Sequence, residues 1–153
     1  MSVVRCDLKE FPGRLRSDMN NRQARIRAAL AETAQQGAAY VKTKVPVAFK
    51  ELRDSVHAAP DRTGRGLSRI VVDAPHAQAV ERGSRPHWAP IAPLLKWVGL
   101  VFKGLPVRDR KNLAYAIQAH IAKKGTKPHW YMRSSQRQIL RILDREIRRA
   151  VPD

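Results

Sequence analysis

The chain has 153 residues, 43% of them apolar, and its 30 Lys and Arg against 13 Asp and Glu give a formal net charge of +17. That length suits one domain with its own core, and the apolar share excludes a disordered polyelectrolyte. A single cysteine, Cys6, excludes an internal disulfide framework and a multi-cysteine zinc site. No apolar run suits a signal peptide or approaches the roughly 18 residues that cross a bilayer, so a soluble protein made in the cytosol is expected.

Met1 to Phe11 reads as a short strand or arm that Pro12-Gly13 breaks, with residues 1–16 as an N-terminal arm. A long helix is expected over 17–45. Met19, Ile26, Leu30, Thr33, Gly37, Tyr40 and Val41 recur at steps of three, four and seven, and the arginines take other faces. Ser17 is the expected N-cap, and Pro46 stops the helix because the residue before a proline avoids helical conformation. Ala31, Ala34, Ala38 and Ala39 beside Gly37 leave room for a second helix to approach closely.

Residues 46–75 read as a β-hairpin region. Leu52 to Ala59 alternates loosely, Pro60 to Gly66 is a turn cluster, and Leu67 to Asp73 is β-branched. Arg53, Arg62, Arg65 and Arg69 decorate the hairpin. A glycine-rich tip with arginines suits an anionic partner and equally suits a solvated turn.

Over 76–130 three helices are expected: His76–Arg82, Leu94–Lys103 and Asp109–Lys124. Around the last two runs a near-repeat. Gly83-Ser-Arg-Pro-His-Trp88 is echoed by Gly125-Thr-Lys-Pro-His-Trp130. Glycine takes positive φ, and proline fixes its own φ and pushes its predecessor towards extended conformations. Each copy therefore reads as a rigid loop leaving a helix end. Gly83, Pro86, Trp88, Gly125, Pro128 and Trp130 are the candidate loop anchors, the tryptophans on the core side.

Residues 131–153 read as the C-terminal helix, with Ser134 as its expected cap. Met132, Ile139, Leu140, Leu143 and Ile147 share one arc, and Arg133, Arg137, Arg141, Arg145 and Arg148 share another. So strong a positive charge attracts polyanions or acidic protein surfaces. A solvated basic face accounts for the same residues.

Catalytic motifs are lacking. There is no phosphate loop, and His57, His76, His87, His120 and His129 do not have metal-site spacing. His87 and His129 occupy matching places in the two loops, which suits a structural hydrogen bond to the backbone. The carboxylates are scattered, whereas a metal-dependent nuclease needs them clustered. No cofactor is expected.

Three stretches carry a family resemblance. Pro46-Val-Ala-Phe-Lys-Glu-Leu-Arg-Asp-Ser-Val56 is similar to P-V-x-T-G-x-L-R-x-S-I, with Phe49-Lys-Glu51 where the pattern has Thr-Gly. Ala74-Pro-His-Ala-Gln-Ala-Val-Glu-Arg-Gly-Ser84 is similar to x-P-Y-A-x-x-V-E-x-G-T. Lys124-Gly-Thr-Lys-Pro-His-Trp-Tyr-Met-Arg-Ser134 is similar to x-G-T-x-P-x-P-F-L-R-P-A, with Ser134-Ser135 in place of the closing Pro-Ala. In this order they resemble the neck or tail-completion (head–tail joining) proteins of long-tailed bacteriophages.

The resemblance implies an α+β fold: a small antiparallel sheet packed on a long N-terminal helix, with further helices and a C-terminal helix. It implies a non-enzymatic virion protein, a homo-oligomeric ring of six or twelve copies at the head–tail junction. Its partners would be the connector or head-completion protein, the tail tube or tail terminator, and the passing genome DNA. Arg62, Arg65, Arg69, Arg137, Arg141, Arg145 and Arg148 are the candidates for the DNA lumen or the ring interface. The competing expectation is a stand-alone basic nucleic-acid-binding protein.

Overall fold

The computed structural model describes residues 11–46, 50–63 and 65–152. Of the arm expected over residues 1–16, residues 1–10 lie outside them, and residues 11–16 are helical instead. Helix α1 (Phe11–Lys44) has 34 residues, about 51 Å at 1.5 Å per residue. Pro12 and Gly13 fall within its first turn instead of breaking the chain ahead of it. Amides of a first turn have no intrahelical acceptor, so a proline there removes nothing, and Ser17 is a helical residue instead of the N-cap. The end is where Pro46 requires it: the Val45 amide still reaches the Val41 carbonyl at 3.2 Å, and the helix stops there.

The two halves of α1 differ. Residues 12 to 28 are exposed throughout, and burial starts at Ala29. Beyond it Thr33, Ala34, Ala38, Val41 and Val45 are buried, on the apolar face that the sequence periodicity marks. Thr33 satisfies its hydroxyl by donating to the Ala29 carbonyl at 2.7 Å, the local bond by which a buried threonine is tolerated within a helix.

The hairpin is shorter than expected. Lys50–Asp54 form a single helical turn, α2, so Leu52 is helical and enters the core with no exposure. Ser55 closes this turn by donating its hydroxyl to the Leu52 carbonyl and its amide to the Glu51 carbonyl. Strand β1 (Val56–Ala59) then pairs antiparallel with β2 (Arg69–Val72), Val56 opposite Val72 and Ala58 opposite Ile70. These four face the core, and the intervening pairs, His57 with Val71 and Ala59 with Arg69, take the other face.

Four helices follow: α3 (Ala77–Arg82), α4 (Ile91–Val101), α5 (Val107–Lys124) and α6 (Tyr131–Ala150). Helix α4 begins three residues earlier than expected, behind Pro90, and α5 begins behind Pro106; proline pre-sets φ at such starts. The sheet and α6 pack side by side on the inner half of α1, as the α+β expectation requires. Gly37 is the meeting point. A Cβ there would lie 2.7 Å from Ile70 Cδ1 and 3.4 Å from Ile139 Cγ1, so the missing side chain admits both layers. Val41, Val45, Leu52, Val56, Val80 and Tyr131 form the centre of the core.

The buried stripe of α6 is rotated from the expected arc. Tyr131, Ser135, Ile142 and Glu146 are buried, while Leu140 is 56% exposed. The buried set follows one helical face, and its two polar members are satisfied: Ser135 donates to the Tyr131 carbonyl at 2.6 Å, and Glu146 accepts from Arg145 and Arg149. Helices α4 and α5 pack chiefly on each other, as a helical lobe set off from this body.

Candidate functional site

The two near-identical hexamers are the joint between body and lobe. Loop 1 leaves α3 and loop 2 leaves α5, and the two cross as a two-sided bridge. The Ser84 amide donates to the Thr126 carbonyl at 3.2 Å, and the Thr126 amide donates to the Ser84 carbonyl at 3.1 Å. Farther along, each loop caps the helix the other has left. The His87 amide donates to Ile121 in the last turns of α5 (3.4 Å), and the His129 amide donates to Val80 in α3 (2.9 Å). The Ile121 carbonyl also accepts the Gly125 amide at 2.8 Å, so His87 gives it a second donor, and each loop thus reaches the end of the other's helix. The repeat in the sequence is therefore a reciprocal clasp. Gln118 adds a buried bond from α5 to the Ala89 carbonyl at 2.7 Å.

Glycine is required on both sides of the clasp. Gly83 has φ 75° and ψ 177°, and Gly125 has φ 72° and ψ −160°, a region that only glycine occupies readily. A Cβ on Gly83 would overlap the Thr126 carbonyl oxygen, and one on Gly125 would overlap that of Ser84. Pro86 and Pro128 sit exposed in the two loops. The tryptophans depart from expectation. Trp88 is 72% exposed and Trp130 is 38% exposed, so neither indole is a core anchor, because backbone bonds hold the loops. His87 does bond to the backbone as expected, its Nδ1 lying 2.9 Å from the Arg85 carbonyl.

Trp130 has φ 51°, the one positive φ outside glycine among the described residues. It precedes α6, whose cap is not Ser134. Glu81 of α3 reaches across instead: its carboxylate accepts the Met132 amide at 2.8 Å and the Arg133 amide at 3.0 Å. Its backbone carbonyl also takes the Trp130 amide at 3.1 Å. A carboxylate at a helix start satisfies orphan donors and the helix dipole together. Beside this joint runs an open groove of about 700 Å³ between α3 and α6, where the Arg133 guanidinium stacks 5.1 Å from the Trp130 ring. Burial, and secondarily the Glu81 charge, push the Tyr131 hydroxyl above its usual range; it donates to the Ala77 carbonyl.

The candidate arginines lie on the hairpin and on α6, the two elements that pack on α1. The hairpin tip folds onto α1, with the Cβ position of Gly66 at 3.5 Å from Leu30 and 3.9 Å from Arg27. Asp61 shapes that tip: its carboxylate accepts the amide and hydroxyl of Thr63 and the amide of Gly66. These bonds, the Thr63 hydroxyl first, hold its pKa down to about 2. Helix α6 runs back along α1, Ile139 beside Gly37 and Glu146 bonded to Gln36. Its Glu146 thus meets α1 at Gln36, six to nine residues, or about 9–14 Å along the axis, from the Leu30 and Arg27 that lie beside the tip.

Arg62, Arg65 and Arg69 are exposed at the tip and its strand, and Arg145 and Arg148 are exposed on the last turns of α6. Arg145 bonds Glu146 and Gln36, Arg148 pairs with Asp144 at 3.0 Å, and Arg149 joins Glu146 at 3.4 Å. The hydrogen bond from Arg145 holds the Glu146 carboxyl below its usual range despite burial. Arg141 and Arg137 lie one and two turns back along α6, also exposed, and make no ion pair among the described residues. Arg27, Arg149, Asp61 and Glu81 are the participants that sequence reasoning missed.

Among the described residues no group of three His, Cys, Asp or Glu is placed to hold a metal ion, and no helix is long and apolar enough to cross a membrane. Exposed cations of this kind can meet phosphates, and exposed ion pairs exchange partners at little cost. Compared with protein-family models, curated proteins and solved structures, the chain matches none.

Proposed function

We propose that the chain is a structural subunit of a phage head–tail junction, assembling as a ring that joins connector to tail and lets DNA pass. One observation carries this reading. The three family-like stretches, far apart in sequence, converge on one piece of architecture. Leu52 and Val56 of the first stretch and Ala74 and Val80 of the second lie in a common core with Tyr131 of the third. Glu81 of the second caps the helix that the third begins. The residues that carry the likeness are thus those on which the body depends. The exposed arginines of the hairpin and α6 supply the DNA contact in this reading.

Native mass spectrometry at two salt concentrations, with negative-stain images, tests it. Closed rings of one fixed size are the expected result. The same exposed arginines also favour the second reading, a stand-alone duplex-DNA binder. A chain that stays monomeric at both salts and holds DNA tightly, with a steep salt dependence, overturns the ring in its favour. In either case Arg62→Ala/Arg65→Ala should lower the slope of log K against log salt by about one for each phosphate no longer neutralised.

A further inference from the structure

We propose that the outer half of α1 is a further DNA-binding element, an arm that lies in the major groove of a duplex. Residues 12–28 are exposed throughout, so about 25 Å of helix runs on past Ala29, where the core of the body ends. A helix of that length is marginal in water without a packed face. This one also carries Arg14, Arg16, Arg22, Arg25 and Arg27 against a single acid, Asp18. Arg22 and Arg25 are neighbours on the helix surface, and like charges so placed destabilise it. A polyanion laid along the arm removes that repulsion and supplies the contact that the chain itself does not.

The placing of the arginines selects the polyanion. By the helical period Arg16 and Arg27 fall within about 20° of each other, and Arg14 and Arg25 do so on the opposite flank. A flat acidic surface would meet one flank only. The major groove of a duplex is about 12 Å wide, admits a helix and has phosphates along both walls. The rise from Arg14 to Arg27 is about 20 Å, a length of duplex that carries about a dozen phosphates. Between the flanks lie Leu15, Met19 and Ile26, all exposed, on the arc for the groove floor, where thymine methyl groups offer apolar contact. Three such side chains are too few to hold the helix in a bilayer interface. A second copy of a chain at +17 would be repelled.

The arm also continues a surface already proposed to meet DNA. The hairpin tip rests on α1 at the root of the arm, where a Cβ on Gly66 would lie 3.9 Å from Arg27 Cγ. Arg62 and Arg65 are exposed at that tip, so arginines of two elements adjoin there. The proposal rests on the DNA contact common to both readings above and adds an element to it.

Fluorescence anisotropy with a duplex of about 20 base pairs, titrated at several salt concentrations, tests it. Wild type is compared with Arg16→Ala/Arg25→Ala, one residue from each flank, and with Arg108→Ala/Lys111→Ala, an equal loss of charge on α5. All four side chains are exposed, so both variants should keep their circular dichroism and melting temperature. Arg16→Ala/Arg25→Ala should weaken binding at least about tenfold at about 0.1 M salt and lower the slope of log K against log salt by about two. The α5 variant should change affinity less than about threefold. Amides of residues 12–28 should exchange more slowly once the duplex is bound. Equal losses in the two variants would reduce the effect to net charge and overturn the arm. Wild-type affinity in Arg16→Ala/Arg25→Ala overturns it too, and leaves the contact through the hairpin and α6 standing. Equal affinity for a single strand of the same length overturns the groove. A wild type that binds no duplex at low salt overturns the arm and the DNA contact together, while the ring stands or falls on its own mass.

Discussion

Gly125→Ala is the sharpest perturbation of the clasp. Its backbone, at φ 72° and ψ −160°, occupies a region where a non-glycine residue costs about 1–3 kcal/mol. The added Cβ would also overlap the Ser84 carbonyl oxygen, so the loops must part. Parting them weakens the two bonds between Ser84 and Thr126, each contributing about 0.5–1.5 kcal/mol. Together these give a loss of about 2–6 kcal/mol. For a domain of this size, 1 kcal/mol moves the melting temperature by about 2–4 °C, so a fall of roughly 8–16 °C is expected for a mid-range loss.

Urea unfolding measures the free energy, and hydrogen exchange locates the damage. Amides of α4 and α5 should lose protection before those of α1 and α6, because the lobe is tied to the body mainly through the clasp. Gly83→Ala faces the same obstruction from the Thr126 side. Both substitutions break one bridge, so the double variant should cost clearly less than the two single losses combined. A Gly125→Ala protein within about 1 kcal/mol of wild type, or strictly additive losses, would refute the reciprocal clasp.

Glu81→Ala should cost about 1–2 kcal/mol by removing the cap of α6, with Glu81→Gln recovering part of it; equal urea midpoints for wild type and Glu81→Ala would count against the cross-chain cap. Trp88→Ala should cost at most about 1 kcal/mol and Trp130→Ala about 2 kcal/mol, below the 3–5 typical of a fully buried aromatic, and calorimetry of the pair checks the order. Asp61 holds the hairpin tip in its ionised form, and its folded pKa of about 2 lies below the ordinary 3.8. The ordering it confers is therefore complete above about pH 4 and fades as pH falls towards 2. Exchange of the Thr63 and Gly66 amides, compared with Asp61→Asn, should accelerate over that interval and not at neutral pH.

Sequence alone is enough where one local rule governs. Pro46 ends α1, the small residues around Gly37 admit β2 and α6, and the Val56–Ala59 and Arg69–Val72 strands follow from loose alternation before a turn and a β-branched run after it. Legibility fails where a distant group decides. Ser134 has the right chemistry for a cap, but Glu81 sits fifty residues away in sequence and reaches the first amides of α6 before it. Leu52 alternates well enough for a strand, yet Ser55 closes a helical turn around it. The paired tryptophans suggest anchors because large aromatics are usually buried, whereas two glycines and four backbone bonds hold the loops. Along the chain the arginines form two separate sets. Only the packing of both the hairpin and α6 on α1 brings them onto one body.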